Sequence, residues 1–182
     1  MSASRRHPNV VNVTEIEGQH RAAGSRFGAL RKNLGAESGG SGIGCTWHEV
    51  APGRAAYPRH FHTANEESIY VLEGTGTLRI GDDSVVIGPG DYVGLPVGPD
   101  HAHQIINTSD APLRYLAIST MHDVEIVGYP DSKKIGAMAA SDLRGAFTGA
   151  SKLWVGFIGR EADAVGYFEG EDIGEMDPDS PK

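Results

Sequence analysis

The stretch His60-Phe61-His62-Thr63-Ala64-Asn65-Glu66-Glu67 decides how this chain is read. It works together with Pro96-Val97-Gly98-Pro99-Asp100-His101-Ala102-His103, about forty residues further on. Successive side chains of a strand point to opposite faces, so His60 and His62 share one face. Glu67 lies five positions past His62 and falls on the other parity. A bend or bulge within Thr63 to Glu66 is needed to turn it inward, and Asn65 suits such a place. Two imidazoles, a carboxylate and a third imidazole from another strand make a mixed N and O donor set for a divalent transition metal.

Outward from these histidines the pattern is of short strands and tight turns. Ile43–Val50, Ser68–Leu72, Thr75–Ile80, Ser84–Ile87, Tyr92–Leu95, His101–Asn107 and Leu113–Thr120 read as strands. Between them lie Pro52-Gly53, Glu73-Gly74, Gly81-Asp82-Asp83, Gly88-Pro89-Gly90-Asp91 and Thr108-Ser109-Asp110, all turn chemistry. Such spacing predicts an all-β sandwich or small barrel. Asn9–Val13 reads as a first strand. Phe27, Leu30 and Leu34 fall at helical spacing within Gly24–Gly35, against which Gly28 weighs. Beyond Met121 the pattern weakens: Tyr129-Pro130-Asp131-Ser132 reads as a turn, Ser141–Phe147 as a short helix with Ser141 at its N-cap, and Lys152–Ile158 as a strand.

The 182 residues carry 16 basic and 24 acidic side chains, a net charge of -8, which disfavours nucleic acid and anionic membranes as partners. No stretch approaches the roughly 20 apolar residues of a membrane span, and the N-terminus lacks an apolar leader, so a cytoplasmic protein is expected. The single cysteine, Cys45, reads as a buried strand residue. Trp47 and Trp154 read as core, and His48 as a strand residue facing solvent.

These residues resemble the cupin superfamily. Its first motif, G-x5-H-x-H-x3,4-E-x6-G, is followed by Gly53, His60, His62, Glu67 and Gly74, with six residues instead of five between Gly53 and His60. Its second, G-x5-P-x-G-x2-H-x3-N, is followed by Gly90, Pro96 and Gly98. The glycine spacing then selects His101, whereas Asn107 selects His103. The strand His103–Thr108 favours His103, with His101 as the alternative. The resemblance implies an all-β jelly-roll barrel (a double-stranded β-helix) over residues 43–128. An N-terminal extension over 1–42 and a C-terminal extension over 129–182, packing on the barrel and ending in a frayed acidic tail, complete the expected layout.

More of the chain is similar to a bacterial cupin subgroup whose members are mostly uncharacterised and sometimes described as presumed sugar-phosphate isomerases. The lead-in Arg54-Ala55-Ala56-Tyr57-Pro58 and the segment Tyr129–Ser132 carry that likeness, although Lys133 stands where many relatives have glycine. The resemblance implies His60, His62, Glu67 and His103 as ligands of one divalent transition metal ion (Fe, Mn, Ni, Co, Cu or Zn). Tyr57, Arg79 and Arg114 are candidate substrate contacts, with Arg59 and Tyr115 behind them; an inward arginine would suit a carboxylate or phosphate. Asn107 reads as a turn residue, not a ligand. The implied function is metal-dependent action on a small polar metabolite, a sugar derivative or oxo-acid, by isomerisation, decarboxylation or oxygenation. The alternative is a non-catalytic cupin that binds a small molecule such as a sugar. With Glu67 inward, Ile69 and Val71 also face in, while Tyr70 and Leu72 face out and need a cover, which predicts a homodimer.

Overall fold

The computed structural model describes residues 7–172. The remote end of the acidic tail, expected to fray, and Met1–Arg6 at the expected leaderless N-terminus lie outside them. In chain order the elements are β1 (Gln19–Ala23), β2 (Phe27–Asn33), α1 (Leu34–Glu37), β3 (Ile43–Val50), β4 (Phe61–His62), β5 (Glu67–Glu73) and β6 (Gly76–Ile80). They continue with β7 (Asp83–Ile87), β8 (Tyr92–Leu95), a 3-10 turn (Pro99–His101), β9 (His103–Ile106), β10 (Leu113–Thr120), β11 (Val124–Tyr129), β12 (Lys134–Ala140), α2 (Leu143–Thr148) and β13 (Leu153–Arg160). No helix among the described residues is long and apolar enough to cross a membrane.

The strands form three open sheets: β1-β2-β3-β10-β5-β8, β13-β12-β11-β4 and β7-β6-β9. This corrects the expectation of a closed jelly-roll barrel. Among the described residues strand pairing between the sheets is limited to isolated bridges, Phe27 with Ala55, Ala55 with Ile106 and His60 with His103. The physical cause lies in the joining segments. Pro52 and Pro58 bracket the stretch that would have to pair continuously, and proline has no N–H to donate to a ladder. β4 is only two residues long, and the 3-10 turn at Pro99–His101 interrupts the approach to β9.

Between the sheets lies one apolar core. Val50, Ile69, Val71, Leu78, Leu95, Ile105, Leu113 and Tyr115 are buried in it together. Along β5 the parity runs as expected: Ile69 and Val71 are 4% and 0% exposed, whereas Tyr70 and Leu72 are 41% and 42% exposed.

Elsewhere tertiary pairing overrides local pattern. The segment read as a helix from Phe27 to Leu34 is instead strand β2, held between β1 and β3. Helix begins only at Leu34, where the Asn33 side chain accepts from the Ala36 N–H at 3.0 Å. Asn9–Val13 forms no strand. The later helix is capped by Asp142 instead of Ser141: its Oδ1 accepts the Gly145 N–H at 2.8 Å. Trp154, read as core, is 70% exposed, and His48, read as solvent-facing, is 1% exposed. Cys45 is half-buried in β3.

Candidate metal centre

His60 and His103 are brought side by side by backbone pairing. The His60 N–H donates to His103 O at 3.0 Å and the His103 N–H to His60 O at 2.8 Å. That bridge sets the two rings 4.6 Å apart, centroid to centroid. His62, two residues on, ends β4, and its ring lies 5.0 Å from that of His60. Glu67 opens β5 after the chain has turned through Thr63–Glu66. One ligand atom from each of His60, His62 and Glu67 falls within 4.8 Å of the others. His103 Nε2 stands 3.1 Å from Glu67 Oε2. His101 lies in the 3-10 turn and contributes its carbonyl oxygen, 3.0 Å from His103 Nδ1. The structure therefore brings His103, not the His101 side chain, to the carboxylate.

Glu125, unremarked in the sequence, makes the turn that delivers Glu67. It is 2% exposed on β11. Its carboxylate accepts the backbone N–H groups of Thr63, Ala64 and Asn65 at 3.0, 3.2 and 2.9 Å, and a further bond from the Asn65 side chain. Asn65 Oδ1 in turn accepts the His122 N–H at 2.7 Å. Glu125 also accepts from the Thr63 hydroxyl at 3.4 Å and faces His62, whose Nδ1 is 3.3 Å away. The local signal for Glu125 was slight: one carboxylate between Val124 and Ile126, on the parity of Val127, which is buried.

Two of the imidazoles have a face assigned to them by carbonyl groups. His60 Nδ1 sits 2.9 Å from Pro58 O, and His103 Nδ1 faces His101 O. Each Nδ1–H is thereby donated, and each Nε2 is left with its lone pair. The lone pair of His103 faces a carboxylate oxygen at 3.1 Å, a repulsive pairing unless a proton or a cation stands between them. His62 presents the same demand. Both its nitrogens are buried, and neither reaches hydrogen-bond geometry, although Glu125 and Glu67 lie at 3.3 and 3.5 Å. A half-buried imidazole whose two nitrogens are buried and orphaned between two carboxylates fits a cation shared with its neighbours.

The electrostatics agree. Burial opposes charge on Glu67, but the neighbouring His103 and His62 rings outweigh it and hold its carboxyl well below the usual range. Burial would also lower His62, but Glu125 and Glu67 overcome it and raise it to about 9. Burial, aided by His103, pushes His60 down to about 4. Glu67 and Glu125 thus stay anionic and favour a positive charge between them, which a proton on His62 or a divalent ion in its place supplies.

A small cleft, open to solvent, lies against the cluster, lined by Tyr57, His60, Glu67, Ile69, His103 and Tyr115 among others. Of the candidate contacts, Tyr57 lines it, its ring 6.0 Å from that of His60. Tyr115 is buried in its wall. Arg79 does not reach it. It lies on the strand face opposite buried Leu78, bound to Gln104 and to Asp131 at 3.0 Å each. Arg59 shares Asp131 at 3.2 Å. Arg114 is likewise on the outer face, between Glu49 and Glu73. A second residue the sequence reading placed wrongly is His48. Its ring stacks on Tyr115 at 4.9 Å, and its Nε2 lies 3.2 Å from the Tyr57 hydroxyl. With Nδ1 facing Thr46 O at 3.3 Å, Nε2 is the acceptor and Tyr57 the donor.

Residues 46–119 match the family model described as Cupin domain. Those residues carry a cupin-superfamily domain, and over most of its length the chain is similar in fold to two solved bacterial proteins. It superposes on a presumed sugar phosphate isomerase of Acidithiobacillus ferrooxidans with a TM-score of 0.71 and 25% identity, over 87% of this chain and 96% of that one. A sugar phosphate isomerase of Silicibacter pomeroyi gives a TM-score of 0.71 at 24% identity, over 85% of this chain and 94% of that one. An uncharacterised protein of Methanocaldococcus jannaschii is 33% identical over 60 residues, 33% of this chain. The match spans 46% of the length of that curated relative.

Proposed function

We propose that the chain binds one divalent transition metal ion through His60, His62, Glu67 and His103, and acts on a small polar metabolite, a sugar derivative or oxo-acid, by isomerisation, decarboxylation or oxygenation. The observation that carries this reading is the His62 ring, its two buried nitrogens without hydrogen bonds, placed between two carboxylates and beside two imidazoles whose Nε2 lone pairs are unspent. An ion held there would supply Lewis-acid chemistry, polarising a substrate oxygen. The likeness to the Acidithiobacillus ferrooxidans protein supports isomerisation of a sugar derivative among these reactions.

The chain's own residues supply the rest. Tyr57 presents a phenol to the cleft, and His48 holds it in one orientation. The Tyr57 hydroxyl donates its one hydrogen to His48 Nε2, and burial raises it above its ordinary value, so it stays neutral and presents its oxygen to the cleft as an acceptor for a substrate hydroxyl. Ile69 and Tyr115 keep the wall of the cleft dry. We also infer a homodimer, with the outer face at Tyr70, Leu72 and Tyr92 covered by a second copy.

The test is a screen of protein reconstituted anaerobically with Fe(II) or Mn(II) against sugar phosphates, keto acids and catechols. Turnover lost in Tyr57→Phe with metal content unchanged supports the reading. A ligand bound without turnover contradicts catalysis and leaves a binding protein.

A further inference from the structure

Arg31 stands apart from the other arginines near the site. Arg54, Arg59, Arg79 and Arg114 each spend their guanidinium on a carbonyl or a carboxylate. The Arg31 side chain makes no hydrogen bond or ion pair with any described residue, although it is half-buried and its Nε is fully buried. Its direction follows from register. On β2 it pairs with His48 of β3, His48 pairs with Tyr115 of β10, and Tyr115 pairs with Val71 of β5. His48, Tyr115 and Val71 are all buried, so this row of four lies on the inner face. The guanidinium carbon sits 5.6 Å from the centre of the Tyr57 ring, and Tyr57 lines the cleft beside His60, Glu67 and His103.

A guanidinium stays charged at any pH the protein meets, and its fully buried Nε–H is costly to leave without an acceptor. A planar fork of donors fits the oxygens of a carboxylate or phosphate. The face of Tyr57 steadies the cation without satisfying any of its N–H groups.

We propose that Arg31 is the anion-recognising residue of the cleft, and that the ligand carries a carboxylate or phosphate group bound there while its other end reaches the histidine cluster. This deepens the proposed function and rests on it. It narrows the polar metabolite to an anionic one, and it assigns the anion to a residue on a strand well before the histidine motifs.

The test titrates inorganic phosphate and, separately, succinate into the full-length protein, metal-loaded and metal-stripped, by calorimetry. Wild type is compared with Arg31→Met, Arg31→Lys and, as a surface control, Arg79→Met. Binding of at least one probe to metal-stripped wild type is expected, weakened tenfold or more in Arg31→Met and less in Arg31→Lys, with Arg79→Met unchanged. The probe that binds more tightly identifies phosphate or carboxylate as the preferred group. Far-UV circular dichroism and metal stoichiometry establish that Arg31→Met still folds with its cluster intact. Affinities equal within twofold in wild type and Arg31→Met would overturn the inference, as would no binding of either probe to wild type. If metal binds but anion affinity ignores Arg31, only this inference fails; if anions require Arg31 but no metal binds, only the metal reading fails.

Discussion

At the scale of single residues, Glu125 governs the geometry of the cluster. Four N–H groups and the His62 ring converge on one buried carboxylate. Glu125→Ala strands those donors and is expected to cost roughly 3 kcal/mol or more of stability, measured by urea denaturation. Glu125→Gln keeps the volume but weakens the hold on His62. A metal-competition titration should show affinity lower by about 10- to 100-fold; an unchanged affinity would reduce Glu125 to a structural role. His48 makes a pH prediction. Burial, with Arg31 adding to it, lowers its pKa to about 4 from the ordinary 6.5. The folded protein therefore keeps this ring neutral where the unfolded chain takes a proton. Its contribution to stability is complete above about pH 6.5 and is lost as pH falls towards 4, roughly 3 kcal/mol in all. Stability of His48→Gln should fall less steeply than wild type between those limits; parallel curves would count against it. The inward turn at Asn65 was legible because Glu67 fell on the wrong parity and Asn favours bends. Glu125 was not, since its partners lie about sixty residues away. His48 was misread because Cys45 and Trp47 are the more apolar face of β3, while the inner face carries Thr46, His48 and Val50 towards a polar cleft.

Among elements, the pair β4 and β9 decides where the imidazoles meet, and both are short, β9 pairing with β6 and β4 with β11. β4 is two residues and β9 four, joined at their ends by the single His60–His103 bridge. Asn107, just past β9, secures this region. It is fully buried, its Nδ2 donates to Val50 O at 2.7 Å and Ala111 O at 2.8 Å, and its Oδ1 accepts the Ser109 N–H at 3.0 Å. Asn107→Ala leaves those carbonyls unpaired and should lower stability by about 2–4 kcal/mol, seen as a lower urea midpoint with unchanged slope. A midpoint shifted by less than the equivalent of about 1 kcal/mol would contradict this account of the turn. Its role as a turn residue, together with the strands β3, β8 and β10, was readable from alternation between turn signals. β2 was not: Phe27, Leu30 and Leu34 match a helix locally, and only neighbours on both sides make the segment a strand. β11 and β12 escaped notice because their alternation is weak and their exposed positions, such as Val124 and Ile126, are apolar.

For the whole molecule, three sheets around one core leave apolar side chains outside. Tyr70, Leu72 and Tyr92 share the outer face of β5 and β8, with Tyr92 68% exposed. If a second copy covers that face, light scattering should give twice the 19.3 kDa chain mass. Tyr92→Asp should shift the mass towards the monomer; a wild-type monomer at micromolar concentration would refute the dimer. The expected barrel was misjudged at this scale, because motif spacing records which strands approach one another but not whether Pro-bounded segments pair along their length. The cluster does not depend on closure, since it needs only the His60–His103 bridge and the turn held by Glu125. The most direct test is therefore metal content by inductively coupled plasma mass spectrometry on untagged protein, wild type beside His62→Ala and Glu67→Ala. Close to one transition-metal ion per chain in wild type, and less than a tenth of that in both variants, is the expected result. Wild type that stays metal-free after exposure to Mn(II), Fe(II), Ni(II) and Zn(II), or variants that bind as much as wild type, would contradict it.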